Sequence, residues 1–206
     1  MQDNSFLLEE AYNQEPGVVQ HLGTFVQDGD TWELVFVQEW PLGSQRHQLS
    51  YDIPLNDDGL GDVSIHYRYQ LIGDGDSDLA IAPRLSVILP TGDDSEAGVE
   101  VGLPISRVLA PRLITHTNLD VTWQNGTELG VGQSLIYALS GTAHLMLEAL
   151  YTKPDEGDAT LLISPGYRRA FNRPSGWQIV PGFAVPIGIG PSAGEHAVLL
   201  YLSFEK

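Results

Sequence analysis

Alternation with a period of two runs through this chain almost from end to end, and it leaves few folds open. In "DVSIHYRYQL", Val63, Ile65, Tyr67, Tyr69 and Leu71 alternate with Asp62, Ser64, His66, Arg68 and Gln70. In "LAIAPRLSVIL", Leu79, Ile81, Pro83, Leu85, Val87 and Leu89 alternate with Ala80, Ala82, Arg84, Ser86 and Ile88. In "TWELVFVQEW", Trp32, Leu34, Phe36 and Trp40 oppose Glu33 and Glu39, and in "LITHTNLDVTW", Leu113, Leu119, Val121 and Trp123 oppose His116, Asn118 and Asp120. Successive side chains of an extended strand point to opposite faces, so each set occupies one face. A helical period is hard to find beyond residue 15, and no helix-plus-strand repeat suggests a βαβ fold.

Clusters of Gly, Pro, Asn, Asp and Ser separate the alternating runs. Among them are "PTGDDSEAG" (90–98), "LAPR" (109–112), "QNGTELGVG" (124–132), "SGTA" (140–143) and "PDEGD" (154–158). Together they predict twelve strands, over 18–27, 31–40, 46–55, 62–72, 79–89, 99–108, 113–123, 133–139, 144–153, 159–171, 177–188 and 196–205. One long strand over 133–153 in place of two is left open.

Two kinds of β-protein alternate in this way. A soluble sandwich or lipocalin-like barrel buries its apolar face, whereas an outer-membrane barrel turns that face to lipid and its polar face to a lumen. Three features favour the second. The polar face is ionised with both signs, at Glu33, Glu39, Asp52, Asp62, Arg68, Arg84, Glu100, Asp120, Glu148 and Arg168, while Lys occurs only at 153 and 206. The aromatics Trp32, Trp40, Tyr51, Tyr67, Tyr69, Trp123, Tyr151, Tyr167, Trp177 and Phe204 gather near strand ends, as in interfacial girdles. The strand number is even, and the strands approach the ~9–11 residues that cross a bilayer at a tilt. The expected fold is therefore an all-β, antiparallel, up-and-down transmembrane barrel of about twelve strands, over residues 18–206.

The lumen-lining set expected on this fold adds His66 and His116 to those ionised residues. In the last strand, Val198, Leu200, Leu202 and Phe204 would meet lipid. A final strand ending in an aromatic resembles the assembly signal of bacterial outer-membrane proteins, so the assembly machinery is an expected partner. With an even strand number both termini would lie on the periplasmic side. Closing the last strand on the first leaves no unpaired edge in the bilayer.

The blocks "SFLLEEAYNQEPGVVQH", "GDVSIHYRYQLIGDG", "APRLSVILPTGD", "LLISPGYRRAFN", "GWQIVPGFAVPIGIGPSAGE" and "LLYLSFE" cover much of the chain. Through them it resembles a family of bacterial outer-membrane β-barrels described as transporters of the "MetA-pathway of phenol degradation" type. The resemblance implies passage of small, aromatic or apolar solutes through the outer membrane of a Gram-negative bacterium. The loops at 90–98, 124–132 and 154–158 are short against that expectation.

Composition sets further limits. The chain carries 27 Asp+Glu against 10 Lys+Arg, a formal net charge of −17, which argues against binding a nucleic-acid backbone. The absence of Cys excludes disulfides and thiolate chemistry. No run of ~18 apolar residues suggests a membrane helix. Met1-Gln2-Asp3 lacks the basic and apolar regions of a signal peptide, which suits a mature chain whose signal has been removed.

No catalytic residue, metal site or cofactor is expected. There is no G-x-S-x-G, and "NDDGLGD" (56–62) and "GDGDSD" (73–78) lack the terminal Glu of a calcium loop. A lipid-hydrolase barrel is a weak alternative. His144 and His196 read as turn residues, and Asp62, Arg68 and Arg84 as members of a lumenal charge ladder. Residues 1–17 stand apart: Phe6, Leu7, Leu8, Ala11 and Tyr12 would make one or two helical turns before Pro16-Gly17. This segment would either plug the lumen or lie at the periplasmic rim. The expected function is passive movement of small solutes through a narrow polar lumen. The alternatives are a non-conducting scaffold barrel and a soluble ligand-binding barrel.

Overall fold

A computed structural model describes residues 5–92 and 95–206. It is a closed barrel of twelve antiparallel strands. These are β1 (Gln20–Asp28), β2 (Thr31–Leu42), β3 (Ser44–Asn56), β4 (Val63–Tyr69), β5 (Leu79–Ile81 and Arg84–Leu89) and β6 (Gly98–Gly102 and Ile105–Ala110). They continue as β7 (Leu113–Trp123), β8 (Thr127–Ala138), β9 (Ala143–Pro154), β10 (Thr160–Arg169), β11 (Gln178–Ala184 and Ile187–Gly188) and β12 (Val198–Glu205). Each strand pairs with its sequence neighbours, and β12 closes on β1 from Gln20↔Glu205 to Gln27↔Val198. The three strands that come in two pieces break at Pro83, Pro104 and Pro186, which have no N–H to give the ladder. The start of β1 and the end of β12 lie together at one end of the barrel, here the terminal end; the β1–β2 turn lies at the far end.

The register sorts the wall into two faces. Leu85, Leu147 and Phe183 point outward and are about half exposed, at 50, 49 and 52%. Ser134, Glu148 and Ser164, opposite one another on β8, β9 and β10, point inward and are wholly buried. In water such an outer surface would exceed the few hundred Å² of contiguous apolar patch that soluble monomers expose. The inversion, apolar outside and polar inside, is the solution that lipid requires.

Two expectations about local structure fail for instructive reasons. The turn expected over 124–132 is confined to Gln124-Asn125-Gly126, and β8 begins at Thr127 rather than 133. Asn125 takes φ 51°, a left-handed conformation that Asn tolerates, and so closes a short hairpin. Gly130 and Gly132 are not turn residues. They sit inward in β8 opposite Asp120 and Asn118, and a Cβ at Gly132 would overlap the Leu8 side chain. His144 likewise lies in β9, inward and buried, not in a turn; the turn ends two residues before it, at Thr142.

The outward placement of Leu85 has a measurable consequence. Replacing it with Arg should cost about 2–4 kcal/mol of folding stability, provided the site lies near the bilayer midplane. A folding titration of L85R into lipid vesicles measures this, and a change near zero would contradict the lipid-facing assignment of β5.

Candidate functional site

The interior of the barrel is occupied by its own N-terminal segment. Ser5, Phe6, Leu8, Glu10, Ala11, Tyr12, Asn13 and Gln14 are all buried. The segment is irregular, with bends at Phe6–Leu8 and at Ala11, and is not helical. Its backbone N–H groups go to wall side chains instead of to its own carbonyls, and this physical fact displaces the expected helical turns. Glu148 Oε1 accepts from the N–H of Phe6 (3.1 Å) and of Leu7 (2.9 Å). Asn118 holds Glu9 from both sides, accepting its N–H at 3.0 Å and donating to its carbonyl at 3.3 Å. Ser106 Oγ accepts the Ala11 N–H at 2.7 Å. Gln70 accepts the Asn13 N–H at 3.0 Å and donates to the Ala11 carbonyl at 2.7 Å, and Gln48 accepts the Gln14 N–H at 2.7 Å. A buried irregular segment must satisfy its polar groups in some such way.

The segment's apolar side chains fill hollows made by glycine. Phe6 lies where a Cβ at Gly166 or Gly182 would collide with it, and its ring meets Tyr201 at a centroid distance of 4.8 Å. Leu8 occupies the corresponding space at Gly132. Burying each side chain of this size stabilises the docked segment by roughly 1.5–3 kcal/mol.

Glu9 supplies the central charge. Arg68 of β4 and Arg84 of β5 are directly paired across the sheet, a like-charge arrangement that is destabilising by itself. The Glu9 carboxylate bridges them, 3.4 Å from Arg68 Nη1 and ion-paired with Arg84. Arg84 also pairs with Glu100, and Asp120 lies 3.8 Å from it. Arg68 donates in addition to Asn13 Oδ1 (2.8 Å) and to the carbonyls of Glu10 (2.8 Å) and Tyr12 (2.9 Å). Burial pushes the Glu9 carboxyl up, but Arg84 and then Arg68 outweigh it and hold the group below the usual carboxylate range.

The other charged inward positions have separate roles. Glu39 accepts from Gln14 (3.3 Å) and Gln48 (3.1 Å). Glu33 pairs in register with Asn56 near the far end and is exposed. Arg168 is buried opposite His144. Asp62 does not join a ladder with Arg68 and Arg84. It sits at the far mouth, where it accepts from the Gly92 N–H (2.9 Å) and Gln124 Nε2 (2.6 Å). Hydrogen bonds from Ser95, then from Gly92, hold its carboxyl below the ordinary range.

Asp52, His66 and Ser86 form a chain across three strands, with His66 Nε2 3.0 Å from Asp52 and Nδ1 2.7 Å from Ser86 Oγ. The residue types are those of a hydrolytic triad. Ser86 is only 1% exposed and lines neither of the two cavities described below, and Ser106 and His116 repeat the same serine–histidine contact at 2.6 Å, both fully buried. These pairs knit neighbouring strands together.

Beside the segment a cavity of about 160 Å³ remains, bounded by Leu22, Val37, Glu39 and Asp52 of the wall and by residues 5–10. A second, of about 370 Å³, opens at the terminal end between the segment and the 75–78 loop. The expected girdle aromatics point outward: Trp32, Trp123 and Tyr151 towards the far end, and Trp40, Tyr67, Tyr69, Tyr167, Trp177 and Phe204 towards the terminal end.

The wall residues that hold the segment are mostly uncharged: Gln48, Gln70, Ser106, Asn118 and the inward glycines. A reading that gathers ionisable residues passes over them. The available signal was the recurrence of amides and hydroxyls on the inward phase of β3, β4, β6 and β7.

The fold is shared by solved bacterial channels. The KdgM porin superposes with a TM-score of 0.67 at 9% identity, covering 89% of this chain and 97% of that one. The NanC porin gives 0.65 at 9% identity, over 90% and 98%. The COG4313 outer membrane channel from Pseudomonas putida F1 gives 0.66 at 12% identity, over 95% and 98%. No protein-family model matches the sequence, and no curated protein matches it. At such identities the likeness defines the architecture: a twelve-stranded barrel of the outer-membrane type.

Proposed function

We propose that this barrel is a passive channel of the bacterial outer membrane for small solutes, with residues 1–17 as a plug that closes its lumen. One observation carries the reading: a buried segment is seated along the inner wall by side chains of at least six strands, with free space left beside it. The twelve-stranded porins and channels of the same architecture support the reading, and the sequence blocks given above support a distant relation to the phenol-pathway transporter type. No catalytic role is assigned. The terminal end is taken as periplasmic, and the last strand as the region that the outer-membrane assembly machinery engages.

With the plug withdrawn, the wall residues Glu33, Glu39, Asp52, Asp62, Glu100, Asp120 and Glu148 outnumber Arg68, Arg84 and Arg168, so the open pore attracts cations. Single-channel recording under a salt gradient tests both ideas. Removing residues 1–16 should raise conductance, and the reversal potential should show cation preference that weakens as salt shortens the Debye length from ~10 Å at 0.1 M to ~3 Å at 1 M. No current from either form would favour the filled scaffold, and an anion-selective reversal potential would refute the charge argument. Deleting 204–206 should lower insertion in cells more than refolding in detergent; equal losses would leave Phe204 a packing residue alone.

A further inference from the structure

The charges on the outside of the barrel are sorted by end. At the far end the turns expose Asp30, Asp57, Asp58, Asp155, Glu156 and Asp158. The only Lys or Arg there among the described residues is Lys153, and its ammonium is tied to the Gly157 carbonyl at 2.7 Å. At the terminal end the order reverses around the rim. Arg107 lies on the outward phase of β6, and Arg112, Arg169, Arg173 and Lys206 stand at or beside the turns, all five exposed. None of the five is ion-paired with a carboxylate among the described residues. Of the acidic groups of this end, Glu15, Asp76, Asp78 and Glu205 line the mouth of the lumen, Asp74 stands exposed in the turn beside them, and one further cation, Arg46, is exposed on the inward phase of β3.

Three of these cations lie over outward aromatic rings. Arg112 is 5.9 Å from the centroid of Tyr137, Arg169 5.5 Å from Phe171 and Lys206 5.7 Å from Trp177. The rings are themselves exposed, at 45, 45 and 37%. A cation on an aromatic face is held close to the wall while its charge stays available. Arg112 adds a second sign of a dedicated role. It takes φ 79°, a left-handed conformation in which Gly or Asn is the usual occupant. Its guanidinium also donates to the Leu139 carbonyl at 2.6 Å, which fixes it beside Tyr137.

We propose that this outward collar of Arg107, Arg112, Arg169, Arg173 and Lys206 binds the phosphate groups of anionic phospholipids. The rings enter the interfacial layer, as Trp and Tyr do at membrane boundaries, and the cations above them meet the headgroup phosphates. Basic residues beside an anionic leaflet are attracted to it, each by about a fivefold preference. The far end, with its acidic turns, cannot take the same lipids without bound counterions. The collar therefore sets which end of the barrel sits in a phospholipid leaflet, and it does so whether or not the lumen conducts.

The test uses the full chain in a nonionic detergent, given an equimolar mixture of phosphatidylglycerol and phosphatidylcholine with identical acyl chains. Bound lipid is counted by native mass spectrometry, and a gel heat-shift assay confirms that each barrel is folded. The wild type should retain phosphatidylglycerol over phosphatidylcholine by about tenfold or more. The triple variant R112Q/R169Q/K206Q should bring the ratio close to one, while K153Q, which removes a cation from the far end, should leave it unchanged. If the triple variant does not fold, R107Q/R173Q, which touches none of the three ring contacts, should still lower the ratio several-fold. Equal retention of the two lipids by the wild type would overturn the proposal, as would an unchanged ratio in the collar variants or an equal loss in K153Q.

Discussion

Arg68 and Arg84 face each other across adjacent strands of a closed barrel, and the arrangement is tolerable because the Glu9 carboxylate lies between them. Inside a barrel of this diameter a bare pair of guanidinium groups repels strongly, since the low local dielectric magnifies the interaction. Glu100 and Asp120 balance Arg84 from the wall. Arg68 depends on the segment for most of what it donates to: Glu9, Glu10, Tyr12 and Asn13. The position of the segment and the charge pattern of β4 and β5 are thus one feature seen from two sides.

The same dependence runs along the rest of the interior. The inner wall changes character around the barrel. Around β3 to β7 it offers mainly polar groups, Gln48, His66, Gln70, Ser106 and Asn118, all buried, whereas around β8 to β12 the apolar cluster of Ile136, Met146, Val180, Leu199 and Tyr201 lies among buried polar groups such as Ser134, Glu148, Ser164 and Arg168. The segment follows this change, with the side chains of Phe6 and Leu7 packed on the apolar cluster while Glu148 takes their N–H groups, and residues 9–14 on the polar side. Glycines at 132, 166 and 182 give the depth that lets backbone approach wall. Outside, lipid imposes a simpler rule, and the strands meet it by alternation alone.

That contrast explains how much was legible in the sequence. The strands and their outward faces follow from a local pattern of period two, in which each residue's neighbours disclose its orientation. The segment does not. The partners of the N–H groups of Phe6, Glu9 and Ala11 lie at Glu148, Asn118 and Ser106, 142, 109 and 95 residues away, so a short amphipathic stretch read as helix becomes an irregular chain. The start of β8 was hidden for a related reason. Gly130 and Gly132 suggest a turn when read with their sequence neighbours, and a docking surface when read with Leu8. Ionisable residues drew the eye to part of the interior, while the neutral amides that grip the segment carry no signal that a single sequence separates from ordinary polar alternation.

The central claim is that the N-terminal segment is seated in the lumen against β8, and it can be tested by a covalent link. Ser5 Oγ and Ser134 Oγ are 3.0 Å apart, and the chain has no Cys of its own. The double variant Ser5→Cys/Ser134→Cys should form an intramolecular disulfide on mild oxidation of the folded protein, seen as a loss of two free thiols without dimer. Channel activity should be lowest in the oxidised form and recover on reduction. Two free thiols persisting in the folded, oxidised barrel would contradict the account.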